Sequence, residues 1–180
     1  MRIINEIGWK RIIKYLIFSL WQWIFDFLPL SPLRICWLRF GGAKIGRNCV
    51  VDKIDFINLD RSGLGSLTIG NECFLGRGAL FDLAGEIMIK DQTTISPRAV
   101  ILTHFSVGFS DHPLIKKFPK FVKRTVLDKG CFIGVGSVIL AGVTVGSKSL
   151  VAASSVVKEN VEDKSMVAGA PAKVKRKYEN

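Results

Sequence analysis

Histidine is scarce in this chain: only His104 and His112 occur among 180 residues. A mechanism that needs three imidazoles within one chain is therefore excluded, and no metal site is expected. Cysteine is nearly as rare. Cys36, Cys49, Cys73 and Cys131 stand far apart with no CxxC pair, which argues against a zinc knuckle or a disulfide framework and for reduced thiols. With only six prolines, and 48% of its residues hydrophobic, the chain is neither collagenous nor disordered. Acidic residues are also short: 15 Asp+Glu face 26 Lys+Arg, a formal net charge of +11. That surplus favours an anionic partner, whether nucleic acid, a phosphorylated cofactor or an acidic membrane. No helix-turn-helix, RNA-binding or zinc pattern accompanies the charge, so nucleic acid is not expected.

Residues 1–40 differ from the rest. The run from Ile12 to Leu30 holds only Lys14 and Asp26 as charges, yet it falls short of a clean membrane span of about 20 apolar residues. At helical spacing, Arg11, Lys14, Ser19, Gln22 and Asp26 fall within an arc of roughly 140°, and the remainder is apolar. No small-residue cleavage site follows, so a secretory signal is not indicated. Arg2, Lys10, Arg11, Arg34 and Arg39 flank the run, and Trp9, Trp21, Trp23 and Trp37 suit a membrane interface. Two readings stand: a helix lying on the inner leaflet, or a helix capping the hydrophobic end of the next domain. Pro29 and Pro32 are expected to end the segment.

Residues 41–180 carry a repeat of six. Leu127, Ile133, Ile139, Val145, Val151 and Val157 follow one another without a slip, and Cys131, Ser137, Val143, Ser149, Ser155 and Val161 form a second series between them. An earlier register contains Ile69, Leu75 and Phe81, slips by two residues, and resumes at Ile89, Ile95 and Ile101. Ile45 to Val50 looks like a still earlier copy. A period of six is too short for a helical repeat, and β-branched residues favour strands. One inward aliphatic residue per six, with turns between short strands, predicts an all-β domain: a triangular parallel β-solenoid whose coils stack to make a continuous core. The register breaks again between Ile101 and Leu127, 26 residues apart. An excursion loop over 103–125 must leave the solenoid there, and it carries both histidines. Long loops on rigid scaffolds are usually functional.

On these residues the sequence resembles the hexapeptide-repeat acyltransferases, most of all the branch that O-acetylates sugars and polysaccharides. The specific pieces are residues 131–161 and the ending Val167-Ala168-Gly169-Ala170-Pro171-Ala172-Lys173. The resemblance implies a left-handed β-helix, assembly as a homotrimer, and acetyl-CoA as donor. It also implies a histidine general base that deprotonates a sugar hydroxyl for direct attack on the thioester, the oxyanion being steadied by a backbone amide or polar side chain. His104, after Val100 to Thr103, and His112, in Asp111-His112-Pro113-Leu114, both match the family's base. Asp82, at the slip one coil earlier, could orient the base or hold a sugar hydroxyl, and Asp111 is a second acidic candidate. Where relatives carry an acceptor-binding Asn, this chain has Leu75-Gly76-Arg77-Gly78, which makes Arg77 an acceptor candidate. Position by position, coenzyme A is expected against Val135, Gly136, Ala153, Ser154 and Lys158, with Lys173 and Arg176 of the basic C-terminal tail near the nucleotide phosphates.

The loop cations Lys116, Lys117, Lys120, Lys123 and Arg124 fit a diphosphate-linked acceptor, acidic lipid or plain solvent. An amino-sugar acceptor, an acyl-carrier-protein donor and a non-catalytic membrane-associated scaffold stay open. A cytoplasmic protein is expected, peripheral on the inner membrane if the first helix binds lipid.

Overall fold

The structure is a computed structural model and describes residues 8–179. Two helices lead: α1 spans Trp9–Phe27 and α2 spans Ser31–Phe40. Pro29 follows α1 and cannot extend it. Pro32 departs from expectation. It lies in the first turn of α2, where an absent N–H is no loss because that group has no intrahelical partner anyway. Of the flanking basic residues, Arg2 lies outside the described residues, as do the side chains of Lys10 and Arg11.

From Lys44 the chain winds into coils of three short strands, and the strands stack into three parallel faces. Face A holds β1 (Lys44–Ile45), β4 (Leu67–Ile69), β7 (Ile87–Ile89), β12 (Thr125–Leu127) and β15 (Thr144–Val145). Face B holds β2 (Val50–Val51), β5 (Phe74–Leu75), β8 (Thr94–Ile95), β13 (Phe132–Ile133), β16 (Leu150–Val151) and β18 (Ser165–Ala168). Face C holds β3 (Asp55–Ile57), β6 (Leu80–Asp82), β9 (Val100–Ile101), β14 (Val138–Ile139) and β17 (Val156–Val157). The coils make a left-handed β-helix.

The six-residue period is the reason for this shape. Ile69, Ile89, Leu127 and Val145 pair in register down face A. Leu75, Ile95, Ile133, Val151 and Val167 do so on face B, and Phe81, Ile101, Ile139 and Val157 on face C. All are buried, and each side chain removed from water contributes about 1.5–3 kcal/mol. The second series is buried too, from Cys131 through Ser137, Val143, Ser149 and Ser155 to Val161, filling the inner corners. The turn after each face A strand needs left-handed backbone. Asn48, Glu72, Gln92, Gly130, Lys148 and Lys164 supply it at the same offset in successive coils.

The helices close the first coil. Phe25 of α1 and Leu38 of α2 are fully buried in one core with Val51, Ile54 and Leu59. Trp21 stacks on both Phe25 and Trp37, and the buried Arg34 guanidinium donates to the carbonyls of Leu28, Pro29 and Val51. The cap is therefore built by the inward side of α1. The C-terminal basic run is ordered as well: β19 (Lys173–Lys177) pairs antiparallel with β18 at the edge of face B.

Candidate active site

The edge where face C turns into face A gathers one polar residue from each of three successive coils. Asn58 follows β3, Asp82 ends β6, and His104 follows β9 at the start of the excursion. The two extra residues at the slip, Leu83 and Ala84, are tucked into the core, which lets the chain turn around Asp82. The excursion leaves as a hairpin, β10 (His104–Phe105) against β11 (Phe121–Val122), with Phe105 stacked on Phe121. Gly85 lies under this hairpin. A Cβ there would meet Val122 Cγ1 at 2.6 Å, so the residue's smallness lets the loop close on the coil.

Asp82 is fully buried, and hydrogen bonds meet both of its oxygens. Oδ2 accepts the backbone N–H groups of Thr103 and His104, each at 2.9 Å, and lies 2.5 Å from His104 Nδ1. Oδ1 accepts from Asn58 Nδ2 at 2.8 Å and from the Ala84 N–H at 3.2 Å. Thr103 Oγ1 donates to the Asp82 carbonyl at 2.6 Å and accepts the Gly85 N–H at 2.9 Å, fixing the two coils together. Burial alone would raise the Asp82 pKa. The hydrogen bonds from His104, the Thr103 backbone and Asn58 outweigh it, so the carboxyl is held below its usual range. An ionised carboxylate only accepts, so the proton between Asp82 and His104 sits on Nδ1. In the neutral imidazole this tautomer leaves the lone pair on Nε2, as a general base requires.

The other predicted residues fall elsewhere. His112 stands on the outer loop, where its Nδ1 accepts the Leu114 N–H at 3.2 Å, and Asp111 beside it is exposed. Arg77 is exposed on the corner between faces B and C, 3.7 Å from Asp52, on a different edge from Asp82. Val135 and Gly136 stack directly on Ala153 and Ser154 at that same B–C corner, tied by the Ser154 N–H donating to the Val135 carbonyl at 2.8 Å. A Cβ on neighbouring Gly134 would meet the Ala153 nitrogen at 2.5 Å, so the backbones approach closely under an exposed corner with mostly small side chains. Lys158 lies on the C–A edge, two coils beyond His104, and pairs with Glu159 at 3.2 Å. Lys173 and Arg176 are exposed on β19.

Asn58 and Thr103 were not singled out from the sequence. Neither was a cleft of about 670 Å³ between α1 and the first coil, lined by Ser19, Gln22, Asp26, Asn58 and Asp60 among aromatic and aliphatic neighbours. Asn58 lines this cleft and also donates to Asp82, so it links the cleft to the Asp82 network, although neither Asp82 nor His104 itself lines the cleft. Nearby Asp55 has its carboxyl pushed above the usual range by burial and by the charge of Asp26. Among the described residues no group of three His, Cys, Asp or Glu side chains could hold a metal ion.

Residues 125–159 match the family model described as the hexapeptide repeat of succinyl-transferase. The chain is 33% identical over 109 residues to a serine acetyltransferase from Buchnera aphidicola, covering 61% of this chain and 38% of that protein. It is 26% identical over 145 residues to a galactoside O-acetyltransferase from Lactococcus lactis, covering 75% of this chain and 63% of that protein. The chain thus spans less than two thirds of either relative. Its fold is that of the hexapeptide-repeat acetyltransferase VCA0836 from Vibrio cholerae, at a TM-score of 0.81 and 22% identity over 96% of this chain and 95% of that one. The Vibrio protein has also been solved with acetyl-coenzyme A.

Proposed function

The chain belongs to the hexapeptide-repeat acyltransferases, and from that premise we propose that it is an acetyl-CoA-dependent O-acetyltransferase acting on a hydroxyl of a sugar, in a surface glycan or its precursor. One observation carries the reading: the buried, ionised Asp82 holds the His104 ring through Nδ1, and its other oxygen accepts from Asn58, which lines a cleft large enough for a sugar. His104 is the proposed base and Asp82 its positioning residue. The acceptor sits in the α1 cleft, where Gln22, Asp26, Asn58 and Asp60 offer partners for hydroxyls. Nε2 takes the hydroxyl proton as the oxygen attacks the thioester carbonyl carbon. The new C–O bond forms, the C–S bond breaks, and the departing CoA sulfur recovers the proton from His104. The donor lies along the B–C corner at Val135, Gly136, Ala153 and Ser154, with Lys173 and Arg176 near its phosphates.

Within one subunit the His104 edge and the B–C corner are different edges of the prism. A homotrimer resolves this by setting the donor corner of one subunit against the His104 edge of the next. Face B supports such a contact, because Val50, Phe74, Phe132, Leu150 and Met166 point outward along it, the first three being 41–47% exposed. The site of action proposed is the cytoplasm, where acetyl-CoA is available.

A second reading, N-acetylation of an amino sugar, is favoured by Asp26 and Asp60 in the cleft, since carboxylates also bind an ammonium. Calorimetric titration with acetyl-CoA, free CoA and a desulfo analogue tests the donor: saturation near one site per subunit is expected. Absence of binding by folded protein overturns the donor. Acceptor assays with paired hydroxyl and amino sugars then separate the two readings.

A further inference from the structure

We propose that the outward face of α1 docks the protein on an anionic lipid bilayer, lying in the interface without crossing it. Trp9, Ile13, Leu16, Leu20, Trp23 and Phe27 recur at alternating intervals of four and three, and each is 54–68% exposed. Ile17 widens the stripe to an arc of about 120° at helical spacing. The four-and-three alternation alone would also suit the seam of a two-stranded coiled coil. Ile17 beside it, and the bulky rings of Trp9, Trp23 and Phe27 at three of its six positions, make this face wider and more irregular than such a seam, so a second copy of α1 is the poorer fit. Self-association already has an apolar ladder on face B.

The polarity of α1 is inverted relative to an ordinary surface helix, which turns its charged side to water. Here Ser19, Gln22 and Asp26 face the cleft inside the protein, Gln22 donating to the Ile54 carbonyl at 3.1 Å and to Asp26 at 3.0 Å. The apolar side is left outermost, and among the described residues nothing covers it. Tryptophans stand near both ends of the stripe, and indole rings favour the headgroup boundary. Charge selects the lipid. Residues 1–40 hold six Lys and Arg (Arg2, Lys10, Arg11, Lys14, Arg34 and Arg39) against Glu6 and Asp26; with Arg34 buried in the cap and Asp26 turned inward, five basic residues stand against Glu6. Each basic residue near an anionic surface contributes about 1 kcal/mol. No described helix is long and apolar enough to cross a membrane, which leaves the interfacial posture.

Trp23 belongs to both the exposed stripe and the cleft lining. Docking therefore sets the cleft beside the lipid headgroups. If the acetyltransferase reading holds, its acceptor is a glycan anchored in that bilayer; the docking itself does not depend on that reading.

The test is sedimentation of the full chain with phosphatidylcholine vesicles, with and without about 30% phosphatidylglycerol. A Leu16→Glu, Leu20→Glu variant runs alongside. The wild type is expected to pellet with the anionic vesicles, with affinity at least about tenfold lower for neutral vesicles and for the variant. The variant should keep wild-type assembly mass and acetyl-CoA affinity, since both residues are exposed. Wild-type protein that stays in the supernatant overturns the proposal. So does a variant that binds as well as wild type, or equal binding to neutral vesicles. A variant of reduced assembly mass, with wild type indifferent to vesicles, assigns the face to a second copy instead. Intact vesicle binding without acetyl-CoA binding sinks the enzymatic reading and leaves the docking standing.

Discussion

Replacing Asp82 with asparagine separates the electrostatic role of this residue from its structural one. The two oxygens of Asp82 have different duties: Oδ2 serves the Thr103 and His104 N–H groups and the His104 ring, and Oδ1 serves Asn58 and Ala84. An amide can fill only one of these places with oxygen. If its nitrogen replaced Oδ2, three donors would lose their acceptor. If it replaced Oδ1, Asn58 could turn its own amide and only the Ala84 N–H would be stranded. The second orientation is therefore preferred, and one stranded buried donor costs about 1–3 kcal/mol. For a chain of this size that lowers Tm by roughly 2–12 °C.

The ring keeps an acceptor in this orientation but loses the charge that steadies an imidazolium once the proton has moved. A hydrogen bond to a charged partner contributes about 1.5–3 kcal/mol against about 0.5–1.5 for a neutral one, a difference of roughly 1–1.5 kcal/mol, so kcat should fall about 5- to 13-fold. His104→Ala removes the proposed base itself and should cost about 10²- to 10⁴-fold. His112→Ala should stay within about twofold, because its ring bonds only the local Leu114 N–H. Release of free CoA thiol during transfer to a soluble sugar reads all three. KM for acetyl-CoA should hold in each, since none of the three side chains belongs to the proposed donor-binding set. A folded Asp82→Asn protein with unchanged kcat, or a His112→Ala as damaging as His104→Ala, refutes the assignment.

The same network should appear in acid stability. The folded-state pKa of Asp82 is lowered, so its stabilisation is complete above the unfolded value of about 3.9 and is lost as pH falls through the folded one. The Tm gap between wild type and Asp82→Asn should therefore narrow below about pH 4, as followed by circular dichroism; a gap constant to lower pH contradicts this. Gly134→Ala sets a Cβ 2.5 Å from the Ala153 nitrogen, an overlap with backbone that should destabilise by about 1–3 kcal/mol and raise the Kd for acetyl-CoA; a neutral result in both would remove this corner from the donor site. Burial pushes the thiols of Cys73 and Cys131 up to about 11 and about 12. Timed alkylation with mass spectrometry near pH 8 should therefore label exposed Cys36 and reach those two only after denaturation.

The sequence disclosed the solenoid because stacking forces the same side chain at the same phase of every coil, and Leu127 to Val157 keep that phase without interruption. The slip near Phe81 and the gap before Leu127 were legible as departures from it, which directed attention to Asp82 and His104. Asn58 was hidden for the converse reason. Between Asn58 and Asp82 the chain inserts the short helix α3 (Leu59–Ser62) and a 3-10 turn at Leu64–Ser66, so no fixed spacing links one to the other. Thr103 read as an ordinary strand end, and only the folded geometry turns its hydroxyl onto Asp82. For α1, spacing could separate a polar arc from an apolar remainder, but a hydrophobic pattern does not say which side meets the protein. The aromatic cluster of Phe25, Trp21, Trp37 and Phe56 decides that, and it decides for the polar arc facing the cleft.

A strictly repeating solenoid is a poor place to keep a buried charge. Every coil offers its neighbour the same inward aliphatic residue, and a lone carboxylate in such a column would be desolvated without partners. Asp82 is tolerated because the repeat is broken twice on one edge. The two-residue slip brings the Ala84 N–H to the carboxylate and turns the chain around it, and the start of the excursion presents the N–H groups of Thr103 and His104 to its other oxygen. The His104 and Thr103 donors that help keep Asp82 ionised are thus gathered at the irregularities, with Asn58 added from the coil before, and the unbroken coils beyond them supply a straight corner of small residues suited to an extended ligand. On the proposed reaction these are complementary demands: the base needs local irregularity to be held and charged, and the donor needs regularity along several coils. One chain meets them on different edges, so joining equal subunits edge to edge completes the site without asking any single coil to serve both purposes.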